Sequence, residues 1–124
     1  IGTVGYDLGG SFPFRTAAAL PDRVAAVASI HGLGTATPRP NSPHLLVPKT
    51  KAAYVVVQSR DDDAREPEDK NDYEKVLAEG KLKGVVEVYP ANHGFGVPGG
   101  ANYDAASAER AWGAIVKLLK GALR

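Results

Sequence analysis

Apolar positions along the chain switch repeatedly between continuous runs and helical spacing. Residues 1–4 form a short apolar run that stops at a glycine-rich turn over residues 5–10. Residues 11–20 then predict a helix, and Pro13 is accommodated because it falls in the first turn, where backbone N–H groups have no helical partner. Pro21-Asp22 ends that helix. Residues 24–30 are continuously apolar, as in a parallel strand buried on both faces. A connection rich in Gly, Pro, Thr and Ser covers residues 31–51, with one short turn at His44-Leu45-Leu46. The β-branched run at residues 54–57 predicts a third strand, and residues 59–67 an acidic loop. Tyr73, Val76 and Leu77 share one side of a helix predicted over residues 68–82. A fourth strand follows at residues 85–89, then a Gly/Pro loop at residues 90–102. The last helix is expected from about Asp104 to Leu123, with Trp112, Ile115, Val116, Leu119 and Leu123 as a core-facing stripe. Lys117, Lys120 and Arg124 close it with the charge that its dipole prefers. Four strands alternate with helices, a long connection taking the helix's place after the second, which predicts an α/β domain with a mainly parallel sheet and right-handed crossovers.

Composition narrows the function classes. The 124 residues, 44% of them hydrophobic, suffice for one domain over residues 1–124, and 14 Gly with 9 Pro argue against a helical bundle. Fifteen basic against 14 acidic residues leave a net charge of +1, which provides no footprint for nucleic acid or an anionic membrane. The absence of cysteine removes disulfides and thiolate zinc sites. With no membrane-length apolar run and no basic-then-apolar leader, a cytoplasmic protein is expected. No cofactor is assigned from the sequence.

In parallel α/β sheets, functional groups gather in loops at the C-terminal ends of the strands. The first, third and fourth such loops offer Asp7, the Asp61-Asp62-Asp63 run and His93, in that chain order. Nucleophile, acid, then histidine is the order of a hydrolytic triad on this type of sheet. Gly5-Tyr6-Asp7-Leu8-Gly9 has the form of a nucleophile elbow. Its central residue sits in a strained turn, so the residues two positions either side, Gly5 and Gly9, are expected to lack bulk. The Leu8 N–H, at a helix start, is then placed to donate to an oxyanion.

Gly5-Tyr6-Asp7-Leu8-Gly9-Gly10, Pro43-His44-Leu45-Leu46 and Tyr89-Pro90-Ala91-Asn92-His93-Gly94-Phe95 resemble the dienelactone hydrolase family. The resemblance runs from the elbow to the last helix and corresponds to the C-terminal half of that family's domain, half of an α/β-hydrolase fold. It implies a Cys-His-Asp triad with His93 as base. Ser59-Arg60-Asp61-Asp62 fits the strand, short turn and Asp pattern, which favours Asp62 as acid, with Asp63 as fallback. Two departures stand out. Asp7 occupies the family's cysteine position, and the family's first half, with its second oxyanion donor, is not represented.

An aspartate, with an ordinary pKa of about 3.9, is ionised at neutral pH and needs no base to become nucleophilic. Attack on an ester or lactone carbonyl gives a reactive anhydride. Attack on a saturated carbon bearing halide or epoxide oxygen gives an ester that His93-activated water hydrolyses, as in the haloalkane dehalogenases and epoxide hydrolases. The non-catalytic alternatives are an inert Asp7–His93 ion pair in a self-associating α/β module, and an acidic run that is a solvated, helix-capping loop. That run lacks the ligand spacing of a calcium loop, and no His/His/carboxylate set shows metal spacing. His31 is read as a strand-end residue that could line the site, and His44 as locally packing or capping. An exposed edge on the first strand is a liability. A homodimer through that strand, placing two copies of Asp7 near the axis, is therefore the expected partner arrangement, with a small molecule as substrate.

Overall fold

The computed structural model describes residues 1–123. Four strands, β1 (Gly2–Tyr6), β2 (Ala26–Ile30), β3 (Ala53–Ser59) and β4 (Gly84–Tyr89), lie in chain order in one sheet. All three ladders are parallel. Four helices follow the strands: α1 (Phe12–Ala19), α2 (Arg60–Arg65), α3 (Asp69–Gly80) and α4 (Ala105–Ala122). Tight 3-10 turns span Asp7–Ser11 and Pro43–Lys49. This is the expected α/β alternation, with each strand running a residue or two beyond or short of its apolar core.

The sheet separates two cores. On one face, Phe14 and Ala17 of α1 pack with Val27, Tyr54 and Val56 of the sheet and Tyr73, Val76 and Leu77 of α3. On the other, Ala111 and Ile115 of α4 cover Ala28, Ile30, Val55, Val57, Tyr89 and Phe95. β2 is buried along its whole length, as its unbroken apolar run predicts. Tyr54, among these side chains, has its hydroxyl pushed up to about 12 by burial, despite a 2.8 Å hydrogen bond with Thr50 Oγ1.

Two expectations are corrected. Residues 59–67 are not a loop: Arg60–Arg65 is helical, because the Ser59 side chain accepts the Asp62 N–H as an N-cap and three aspartates occupy the first turn, where the dipole favours them. Trp112 does not face the core but is 56% exposed, and the stripe turns back by one position to Ser107, Ala111 and Ile115. The small Ala111 lets α4 approach the sheet closely. Arg124, expected to close this helix, lies outside the described residues, while Lys120 sits in its last turn.

The elbow depends on two glycines, one of them unforeseen. A β-carbon on Gly5 would stand 2.0 Å from the Gly9 carbonyl oxygen, so the turn closes only around a bare α-carbon. A β-carbon on Gly9, by contrast, would meet no atom within 4 Å, and the expected need for small size there is not met. The second constrained position is Gly10, where a β-carbon would lie 2.6 Å from Gly32 Cα and 2.8 Å from Ser29 Oγ. Substituting Gly5→Ala or Gly10→Ala is expected to cost at least about 1–3 kcal/mol through overpacking. Gly9→Ala should stay within about 1 kcal/mol of the parent. Denaturant melts of the three variants check this; a Gly9→Ala protein as damaged as Gly5→Ala would refute the assignment.

Candidate active site

The register of β1 and β2 ends with Tyr6 beside Ile30, so the next residues of the two strands, Asp7 and His31, leave the sheet side by side. Both take positive φ values, 54° for Asp7 and 37° for His31. Apart from these two, Lys81 at the end of α3 is the one other non-glycine residue in this state among the described residues. Such backbone strain persists only where surrounding structure enforces it, and it concentrates at functional sites. Here the enforcement is visible: the Asp7 carbonyl accepts the Leu33 N–H at 3.1 Å, and the His31 N–H donates to the Val57 carbonyl at 2.8 Å.

His93, in the loop after β4, joins the three strand ends. Its Nε2 lies 2.6 Å from Asp7 Oδ1, and its Nδ1 lies 2.6 Å from Asp62 Oδ2. Sequence order alone placed Asp7, Asp62 and His93 on one sheet edge, and the structure brings them into one hydrogen-bonded row. A ring protonated on both nitrogens satisfies both carboxylates, whereas a neutral ring satisfies one. Asp62 is buried, and its other oxygen, Oδ1, accepts from Arg65. Its Oδ2 is also 2.7 Å from Ser59 Oγ. Asp63, the fallback acid, points away to Lys70 Nζ at 2.8 Å. Leu8 lies within the 3-10 turn that follows β1, at the start of the helical segment, with its side chain 73% exposed.

Two neighbours carry more of the site than their sequence context indicated. Asp61 Oδ1 accepts the His93 backbone N–H at 2.8 Å and the Asp62 N–H at 3.0 Å. It thereby ties the loop bearing the histidine to the helix bearing the acid. Burial alone would raise the Asp61 pKa, but hydrogen bonds from Ser59, His93 and Asp62 outweigh it and lower the value. Its repeated Asp-Asp-Asp context hid this role, since spacing alone does not show which of three carboxylates turns inward.

His31 is wholly buried, and its Nδ1 stands 3.1 Å from Asp7 Oδ1. Its ring meets Tyr6, His93 and Phe95 edge-on, with centroids 5.6, 5.2 and 4.7 Å away. The Gly96 N–H donates to its Nε2 at 3.2 Å. Burial lowers the His31 pKa, with Asp7 opposing and His93 reinforcing that shift. Its position at the end of the second strand was the signal that allowed it to line the site, and the strand register is what sets it beside Asp7. His44, as expected, serves locally, with Nδ1 2.6 Å from Ser42 Oγ.

Asp7, His31 and His93 together form a set whose ligand atoms lie within 4.8 Å of one another, which sequence spacing did not reveal. The donor chemistry fits a metal poorly. A backbone N–H occupies the Nε2 lone pair of His31, so the neutral ring carries its proton on Nδ1, the atom facing Asp7. Ligation through Nδ1 requires the opposite tautomer, with two N–H groups opposed at Gly96.

Known proteins share both the sequence pattern and the fold. The model of the dienelactone hydrolase family matches residues 1–123, and the chain belongs to that family. A candidate dienelactone hydrolase from Klebsiella pneumoniae subsp. pneumoniae MGH 78578 superposes with a TM-score of 0.82 at 20% identity, covering 96% of this chain and 51% of its own. A dienelactone-hydrolase-like promiscuous phosphotriesterase, P91, from metagenomic libraries gives 0.75 at 22% identity, covering 98% and 52%. A dienelactone hydrolase from Anabaena variabilis ATCC 29413 gives 0.67 at 25% identity, covering 99% and 50%. The chain thus spans about half the length of these structures. No curated protein matches it. No helix among the described residues is long and apolar enough to cross a membrane.

Asp61→Ala is expected to cost on the order of 1 kcal/mol and to loosen the His93 loop, because the His93 N–H loses its acceptor. Asp63→Ala removes only a partly exposed ion pair and should cost less than about 1 kcal/mol. Urea unfolding together with backbone amide exchange at His93 separates the two, and equal protection at His93 in both variants would contradict the role given to Asp61.

Proposed function

We propose that this chain is the triad-bearing half of an ester- or lactone-cleaving hydrolase in which Asp7 is the nucleophile, His93 the proton carrier and Asp62 its partner. The observation that carries this reading is the unbroken Asp7–His93–Asp62 row at 2.6 Å per contact. An aspartate facing an imidazolium has the same charges as the thiolate–imidazolium pair of an activated cysteine. Because Oδ1 of Asp7 is engaged by His93, Oδ2 is the attacking atom. It bonds to the acyl carbon, and the leaving alkoxide takes the Nε2 proton of His93. The Leu8 N–H is assigned to the oxyanion formed on the substrate. His93, now neutral, removes a proton from water, whose oxygen hydrolyses the Asp7-bound intermediate.

A carboxylate that needs no deprotonation also suits displacement at a saturated carbon, so cleavage of an epoxide or carbon–halogen bond is the second reading. One experiment addresses both. In a His93→Ala background, styrene oxide or 4-nitrophenyl acetate should leave a covalent intermediate at Asp7, read as a mass adduct on its peptide for the stable styrene oxide ester and as a stoichiometric 4-nitrophenolate burst for the short-lived anhydride. Asp7→Ala should abolish it. Asp7→Cys should hydrolyse activated esters faster than an Asp7→Cys/His93→Ala control. A protein with neither adduct nor restored esterase activity is a non-catalytic module.

The proposal extends to the outer edge of β1, which pairs with no strand among the described residues and is flanked by exposed Ile1, Val4 and Phe12. A twofold partner copy covers that edge and joins two four-stranded sheets. Sedimentation of the chain should give a dimer at micromolar concentration, and a stable dilute monomer would reject this arrangement.

A further inference from the structure

Every hydrogen-bonding group of the Asp7–His93–Asp62 row has a use in the reading above, but the side chain of His31 has none. Its Nδ1 is a buried polar atom without a well-aligned partner: Asp7 Oδ1 is 3.1 Å away, but off the line of a good hydrogen bond. Native proteins rarely leave a buried donor in that condition, and such groups call for a reason. His31 is also held there at a cost, since its backbone adopts φ 37°.

The surroundings determine what this atom offers. The Gly96 N–H fills the Nε2 lone pair, so the neutral ring presents an N–H, not a lone pair, to Asp7. Burial disfavours the charged form of the ring, which keeps it a neutral donor. Aromatic edges of Tyr6 and Phe95 hold it from two sides, and a β-carbon on residue 96 would press within 2.8 Å of the Tyr6 ring and 3.2 Å of His31 Nε2. A fixed, neutral, poorly satisfied donor beside a carboxylate oxygen has the properties of an oxyanion-stabilising group. Such a donor is aimed at where charge develops, not at the resting oxygen.

We infer that His31 is a further catalytic residue, whose Nδ1–H takes up the negative charge that forms on Asp7 Oδ1 when water attacks Cγ of the Asp7-bound intermediate. The inference rests on the nucleophilic role of Asp7. In this step the water oxygen bonds to Cγ and its proton passes to His93. The Cγ=Oδ1 bond opens to an alkoxide held by His31. The alkoxide then collapses and the Cγ–Oδ2 bond breaks, so the departing product carries away Oδ2 and the new oxygen stays on Asp7. From an alkyl ester the product leaves as an alkoxide that takes the proton held by His93, which regains one from the new Asp7 carboxylic acid. From an acyl intermediate the product leaves as a carboxylate, and the remaining carboxylic proton on Asp7 is lost to solvent. The Leu8 N–H thus serves charge on the substrate, and His31 serves charge on the enzyme.

Two substitutions separate this role from simple packing. The side-chain amide nitrogen of Asn falls where Nδ1 of histidine lies, whereas the amide of Gln reaches the Nε2 end. His31→Asn therefore keeps a donor toward Asp7, and His31→Gln keeps an acceptor for the Gly96 N–H. The protein and both variants, each first shown to be folded by its thermal melt, are reacted with styrene oxide and with 4-nitrophenyl acetate under single-turnover conditions in ¹⁸O-water. The expected result is formation of the Asp7 intermediate at similar rates in all three, read as the mass adduct for styrene oxide and as the 4-nitrophenolate burst for 4-nitrophenyl acetate. Breakdown should be slowed about 100- to 1,000-fold in His31→Gln and about tenfold or less in His31→Asn. The Asp7 peptide should gain one ¹⁸O per turnover. Label found only in the product, or His31→Gln outperforming His31→Asn in breakdown, overturns the inference while leaving Asp7 as nucleophile. Absence of any adduct even in a His93→Ala background overturns the nucleophilic role itself, and this inference with it.

Discussion

The carbonyl oxygen of Gly9 stands 2.0 Å from the point that a β-carbon on Gly5 would occupy, and this close approach sets the sharpness of the turn after β1. Because the turn is that tight, Asp7 is forced to a φ of 54° and its side chain projects from the strand end instead of continuing the sheet. Gly10 then lies against Gly32, which brings the start of α1 down onto the end of β2 and places Asp7 beside His31. No residue with a side chain at either position preserves this arrangement. The geometry of the whole site follows from backbone packed on backbone.

Around that turn the site is organised as a balance of charge. One imidazole, His93, stands between two carboxylates, and its loop is held by a third through the Asp61 contact to its backbone N–H. Arg65 offsets part of the negative charge from the outer side of Asp62. The second imidazole, His31, is kept neutral by burial and by the N–H that it accepts. The two histidines, 5.2 Å apart between centroids, thus stand in different surroundings, one between two carboxylates and the other buried against a backbone N–H.

Much of this was legible in the chain. The β-branched run around Val55–Val57 and the apolar run before His31 fixed the strands, and the order Asp7, Asp62, His93 along three loops brought the site together on one edge. What escaped depended on facts that a one-dimensional pattern does not contain. Ser59 turned an acidic stretch into a helix by capping it, although the same residues read as a solvated loop. Trp112 drew the apolar stripe of α4 toward itself because it is large, while the sheet selected Ala111 because it is small. That Gly10, rather than Gly9, must be bare follows only from the approach of Gly32, a residue more than one strand away along the chain. His31 was read as a strand-end residue that could line the site, but its place beside Asp7 required the lateral register of β1 against β2, which is a property of two segments at once.

The order of the strands in space is also their order along the chain. Each strand pairs with the one made roughly 25–30 residues earlier, so every ladder closes a loop of similar and moderate length, with a similar entropic cost. No pairing waits for a distant segment. A chain wound this way has comparatively local contacts for a parallel sheet, a property associated with faster folding. During synthesis each new strand finds its neighbour already present. Asp7, Asp62 and His93, spread over three loops, meet only when β4 docks and delivers His93, so the candidate site is assembled with the last strand of the sheet.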